Sequence, residues 1–355
     1  MQIEELLELT VDSNASDLHI SAGLPPIIRV DGELLKTQLP ALSDSEVQQI
    51  IFSMLTNEQR REVEQNLELD CSLGIHGLGR FRVNVYKEQG SYAAAMRTIA
   101  TETPTIDQLG LPSVVKEMAD KHRGLILTVG PTGSGKSTTL SAMVDYINSN
   151  KSVHILTIED PVEFVHKSKK SIVHQRELGA DTKSFANALK SALREDPDVI
   201  LVGELRDLET IQLAITAAET GHLVLGTLHT SSAAQTIDRI IDVFPSGQQQ
   251  QIRTQLSVSL VAVFAQTLLP KIDASGNRSG RVLAQEIMVV NPAIANLIRE
   301  GKGAQIYSAM QTGSQFGMIT LESALKNLYD RRLITYEDAI AVSSRPDDLI
   351  KLLAI

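Results

Sequence analysis

Residues 130–137 read Gly-Pro-Thr-Gly-Ser-Gly-Lys-Ser, and no other stretch constrains the fold of this chain so tightly. A continuous apolar run, Leu125–Val129, precedes the octet, and a segment with helical spacing, Lys136–Ile147, follows it. The pattern G-x-x-x-x-G-K-[ST] is complete, and strand-then-helix is the context that gives it a physical meaning. Glycines let backbone N–H groups wrap a polyphosphate, and the N-terminus of the following helix adds its partial positive charge. The segment therefore predicts an ATP site built from Gly130, Pro131, Thr132, Gly133, Ser134, Gly135, Lys136, Ser137 and Thr138. Lys136 belongs against the β- and γ-phosphates, and Ser137 on Mg²⁺.

The same rhythm continues downstream. Val153–Ile158, Val199–Val202 and Leu223–Leu228 read as buried strands, and Lys183–Leu193 and Leu208–Ala218 as the helices between them. Strands alternating with helices predict an α/β fold with a mostly parallel sheet covered on both faces. The tail beyond about 232 reads as mainly helical, including Leu256–Leu269. Ser257, Ser259 and Gln266 interrupt that segment, and it falls short of the ~20 apolar residues a membrane span requires.

The first hundred residues have a different texture. Pro25–Val30 runs into Asp31-Gly32, a hairpin turn signal. Ser43–Leu55 opens on a capping box, Ser43 with Glu46. Gly79–Tyr86 alternates Phe81, Val83 and Val85 with Arg80, Arg82 and Asn84 as a half-buried strand does, and Ala93–Ile99 reads as its partner. This predicts a small α+β domain over 1–99, a Pro-containing linker over 100–112 and the nucleotide-binding domain over 113–355.

A phosphate cradle needs carboxylates to hold metal and activate water, and ligands of parallel sheets bind at the strands' carboxyl ends. Two groups qualify: Glu159, Asp160 and Glu163 after the strand 153–158, and Glu204 after the strand 199–202. His222 and His229 flank the strand 223–228 at opposite ends, a poor arrangement for one shared metal. His229, at the carboxyl end, is placed to sense the γ-phosphate.

Composition narrows the partners. A net charge of −10 and an isoelectric point near 5.3 argue against direct nucleic-acid binding, which needs clustered Lys and Arg; the run Lys167–Lys170 reads as a solvated loop. One cysteine, Cys71, builds neither an intrachain disulfide nor a cysteine zinc site. The acidic N-terminus lacks the order of a signal peptide. These features predict a cytoplasmic protein that is peripheral to the membrane only through a partner.

Four segments appear in order: the phosphate loop, TIEDPVE at 157–163, LREDPDVILVGELRD at 193–207 and AETGHLVLGTLHTSSA at 218–233. Together they resemble the Walker A motif, Asp box, Walker B motif and His box of the secretion ATPases of type II and type IV pilus systems. Gly203-Glu204 matches the Gly-Glu that the family carries where many P-loop enzymes have a terminal Asp. The resemblance implies a RecA-like P-loop core preceded by a PAS-like domain and a homohexameric ring whose ATP lies between one core and a neighbouring small domain. It also implies Glu163 as the water-activating base and phosphate-reaching arginines on the small domain, for which this chain offers Arg82 and Arg97 beside Arg80. The implied partner is the inner-membrane platform protein of the type IV pilus machinery, at the inner face of the inner membrane.

Direction of work follows from three features: the compact length, the lack of a cysteine cluster, and a C-terminal half like that of the pilus-retraction members. The expected activity is pilus retraction. In one segment those members carry AIRNLIRE, whereas this chain has Ala295 at the position of the arginine. An accessory retraction paralogue, an assembly ATPase and a RecA-like nucleic-acid translocase are the alternatives.

Overall fold

The computed structural model describes residues 2–30, 32–75, 77–99, 103–273 and 275–354. The chain divides into two compact units, residues 1–102 with 161–165, and residues 103–160 with 166–355.

Among the described residues of the first unit, six strands form one antiparallel sheet: β1 (Asp17–Ser21), β2 (Ile27–Val30), β3 (Glu33–Lys36), β4 (Glu68–Ile75), β5 (Gly79–Glu88) and β6 (Ser91–Ile99), in the order β3-β2-β1-β6-β5-β4. β5 buries Phe81, Val83 and Val85 on one face. Helices Ile3–Asp12, Asp44–Met54 and Asn57–Asn66 cover that face with Leu6, Leu7, Val47, Ile51 and Val63. The capping box at Ser43 and Glu46 is present as expected, and β6 pairs with β5 throughout. Val30 and Glu33 are cross-strand partners around the expected turn, of which Asp31 lies outside the described residues.

The second unit holds β7 (Gly124–Val129), β8 (His154–Glu159), β9 (Ile172–Glu177), β10 (Val199–Val202), β11 (Leu223–Leu228), β12 (Leu260–Ile272) and β13 (Arg278–Val289), in the order β13-β12-β7-β11-β10-β8-β9. Every neighbour pair is parallel except β12 with β13. β7 is buried along its whole length, and its alternate residues feed two cores. Leu125, Leu127 and Val129 meet the helices Phe185–Ala192, Leu208–Glu219 and Ala233–Asp242 on one face. Ile126 meets Val115, Leu140 and Met143 on the other. The chain thus has the α/β fold with a mostly parallel sheet that its rhythm predicts.

Two expectations are corrected. Leu256–Leu269 is not one helix: the helix Ser246–Ser259 ends there, and β12 begins at Leu260. An apolar run such as LVAVFAQTLL fits a buried helix or a strand buried on both faces, and the slot between β7 and β13 selects the strand. The tail beyond 232 therefore contributes a long two-stranded ribbon as well as helices. The supposed linker is also shorter than 100–112: Ile106 and Leu111 are buried in the core of the second unit, and residues 100–102 lie outside the described residues.

Candidate active site

The phosphate loop joins β7 to the helix Lys136–Asn150. Gly130 has φ +146, and a Cβ there would overlap the Gln266 carbonyl oxygen on β12, so only glycine lets the loop leave the strand in this direction. Gly135 caps the helix in the left-handed region, at φ +88. Pro131, Thr132 and Gly133 form the exposed crown, whereas Ser134 and Lys136 are buried and Ser137 and Thr138 half-buried. The Lys136 ammonium donates to the Gly130 and Pro131 carbonyls at 2.9 and 3.0 Å. Its charge is thus held inside the loop it would serve, bonded to groups that a phosphate oxygen can replace.

Glu204 emerges just past β10. Gly203 makes this possible, because a Cβ on it would lie 3.2 Å from both Glu159 Cα and the Ile158 carbonyl. The Gly203 N–H donates to that carbonyl at 2.7 Å, and its own carbonyl accepts the Thr227 hydroxyl at 2.5 Å. β8, β10 and β11 are thereby laced together where Glu204 begins. Glu204 accepts from Arg206 at 2.7 Å and lies 3.1 Å from His229 Nε2. Burial pushes its carboxyl up, but Arg206 and His229 outweigh burial and hold it below the usual carboxylate range. An ionised carboxylate only accepts, so Nε2 of His229 carries the proton. Walker-type glutamate and His-box histidine, 25 residues apart in sequence, are in contact.

His222 takes no part in that cluster. Its backbone N–H and Nδ1 lie 3.1 and 3.0 Å from the Ala217 carbonyl, at the end of the preceding helix. Asp160 and Glu163 are exposed, Asp160 in the second unit and Glu163 in the segment 161–165 grouped with the first. Glu159 instead accepts from Thr157 at 2.6 Å and Gln175 at 3.1 Å.

Arg82 and Arg97 are direct partners across β5 and β6, and both are exposed. Like charges opposite one another repel, so this face of the sheet favours an anion. Arg97 Nε donates to Asp17 at 2.8 Å, and the Asp17 side chain is only 9% exposed. Burial raises the Asp17 carboxyl, but Ser16 and Arg97 outweigh it and hold it low. Arg29, Asp17, Arg97, Arg82 and Ser72 form one cross-strand row. A guanidinium has five N–H donors, so the bond to Asp17 orients Arg97 and leaves donors for a phosphate.

Sequence reasoning missed Arg206, whose place two residues after Glu204 was visible, and Asp17, which is 80 residues from Arg97 and signalled by nothing local. Hard oxygen donors such as the Ser137 hydroxyl and an ionised Glu204 suit Mg²⁺, which keeps most of its waters. Among the described residues no group of three or more His, Cys, Asp or Glu could hold a metal alone. No described helix is long and apolar enough to cross a membrane.

Comparison with known proteins extends the picture. The type II/IV secretion system protein family matches residues 1–337. The type IV pilus retraction ATPase PilT of Pseudomonas aeruginosa is 54% identical over 348 residues, covering 98% of this chain and 100% of that protein. A twitching motility protein of Neisseria gonorrhoeae is 52% identical over 314 residues, 88% of this chain and 83% of that protein. A crystal structure of the pilus retraction motor PilT with bound ADP superposes with a TM-score of 0.92 at 50% identity, covering 99% of both chains.

Proposed function

The chain belongs to the type II/IV secretion system protein family, and from that premise we propose that it is a hexameric motor ATPase that drives type IV pilus retraction. The observation that carries this reading is the match to a retraction ATPase over that protein's whole length. Both units of the motor, and not the nucleotide fold alone, are held in common.

The chemistry is divided among the residues already described. Backbone N–H groups of 130–137 bind the polyphosphate of ATP, and Lys136 moves from its loop carbonyls to the phosphate oxygens. Mg²⁺, held by Ser137 and Glu204, supplies charge neutralisation at the phosphates when bound. Arg206 and His229 keep Glu204 ionised, which suits it to hold charge and unsuits it to take a proton. The resemblance to the family assigns Glu163 as the base that accepts the proton of the attacking water. His229, bonded to Glu204, reports the γ-phosphate to the end of β11. Arg82 and Arg97 act on the ATP of a neighbouring subunit, so hydrolysis moves domains around the ring. The ring works through an inner-membrane platform protein at the cytoplasmic face, without direct nucleic-acid contact. A second reading, an accessory retraction paralogue, is favoured only by Ala295.

The test is to label pili in a deletion strain carrying the wild-type gene or the Lys136→Ala gene. Wild type should restore retraction and the variant should leave pili extended. Retraction driven by the Lys136→Ala protein would overturn the reading.

A further inference from the structure

The segment that carries Glu163 has both ends fixed in the second unit, and one side chain holds both ends. Gln175 lies on β9 directly beside Thr157 of β8. Its Nε2 donates to Glu159 Oε1 at 3.1 Å, where the segment begins. Its Oε1 accepts the backbone N–H of His166 at 2.7 Å, where the segment returns. The side-chain amide thus closes the base of residues 159–166. A second tie runs from the return point to the nucleotide loop's own helix: His166 Nε2 lies 3.0 Å from the Ser141 hydroxyl. Ser141 is one helical turn beyond Ser137 and on the same face.

We propose that Gln175 and His166 are positioning residues, a clasp that fixes both ends of the Glu163 segment, at Glu159 and His166, to the second unit for hydrolysis. The proposal rests on the ATPase reading and adds to it two residues that act through the segment they hold.

The tautomer of His166 fits this role. Nδ1 is buried with no hydrogen-bond partner. A bare acceptor there costs less than an unmet N–H, so the proton sits on Nε2 and is donated to Ser141. Burial dominates at this ring and pushes its pKa down to about 4, Asp145 opposing and Lys169 assisting. The ring is therefore a neutral, directional strut at neutral pH. A glutamine side chain can present an N–H at about the same reach, whereas alanine cannot. An error of position near 1 Å at a reacting group costs on the order of 100-fold in rate, so loosening the clasp should act on turnover before it acts on binding.

The test compares His166→Ala, His166→Gln, Gln175→Leu and Ser141→Ala with wild type and with Lys136→Ala. Turnover and KM for ATP are measured, with the Kd of a fluorescent ADP analogue. His166→Ala and Gln175→Leu should lower kcat about 10-fold or more while the ADP Kd moves less than about 3-fold. His166→Gln should recover most of the kcat lost in His166→Ala, which a merely structural defect would not do. Ser141→Ala removes a hydroxyl and little volume, so it keeps the test open should the larger changes misfold; it should lower kcat in the same sense. Wild-type kcat in folded Gln175→Leu and Ser141→Ala, or a loss confined to ADP affinity, overturns the clasp. Wild-type turnover by Lys136→Ala would instead sink the ATPase reading itself, so the two failures are distinguishable.

Discussion

Replacing Glu204 with Gln should stop hydrolysis while leaving the nucleotide bound and the protein folded. The substitution keeps shape and one carbonyl acceptor, and removes one negative charge from a side chain only 19% exposed. On the stability side it weakens the 2.7 Å bond to Arg206 and the 3.1 Å contact with His229. Those partners are 65% and 45% exposed, so solvent screening limits each loss to about 0.5–1 kcal/mol. The sum, roughly 1–2 kcal/mol, lowers the melting temperature of a chain this size by a few degrees. On the activity side, removing a preorganised charge at a phosphoryl-transfer site costs on the order of 100- to 1,000-fold in kcat. The two magnitudes separate cleanly: a small shift in thermal melting, measured by circular dichroism, beside a large loss of phosphate release. ATP affinity should change by far less than kcat, because the backbone of the phosphate loop does most of the binding. Wild-type phosphate release from a correctly folded Glu204→Gln protein would refute the placement of this carboxylate in the reaction.

Lys136→Ala should abolish phosphate release with a circular dichroism spectrum like wild type, since the ammonium bonds loop carbonyls that a phosphate oxygen can replace and the apolar cores are untouched. Arg97→Ala and Arg82→Ala should each lower turnover, and mixing either with Lys136→Ala protein should regain activity; absence of rescue in proven mixed rings would rule out action in trans. Gly203→Ala should destabilise by about 1–3 kcal/mol, because the new methyl meets the β8 backbone and not a yielding side chain, and chemical denaturation would measure it. For pH, His166 titrates at about 4 in the fold against an ordinary 6.5, beside Asp145 and Lys169. The unfolded chain binds this proton first, so stability should fall as pH drops from 6.5 toward 4, by up to roughly 3 kcal/mol, and His166→Gln should flatten that window.

The sequence was most legible where a function is written in consecutive residues. The phosphate loop could be read because its glycines, Lys136 and Ser137 are neighbours between an apolar strand and a helix. The parallel core was readable because β7, β10 and β11 are near-continuous apolar runs, broken only by Thr128 and Thr227, which is the mark of strands buried on both faces. That same mark misled at β12, where burial on both faces erases the period that separates strand from helix. β9, IVHQRE, carries too many polar residues to look like a strand, and it forms an edge where such residues meet solvent. Contacts set by register were out of reach: pairing of β10 with β11 brings His229 to Glu204, and pairing of β1 with β6 brings Asp17 to Arg97. The Gln175 clasp has the same origin, since its side chain meets Glu159 and the His166 N–H only once β8 and β9 align.

The claim that this motor retracts pili, and does not build them, is tested most directly by counting pili on cells from which the gene has been deleted. Electron microscopy should show pili longer and more abundant than on the parent, with surface motility lost and both restored by the wild-type gene. Bald cells would contradict the account and mark an assembly motor, and normal pili with normal motility would reduce this protein to an accessory of another retraction ATPase.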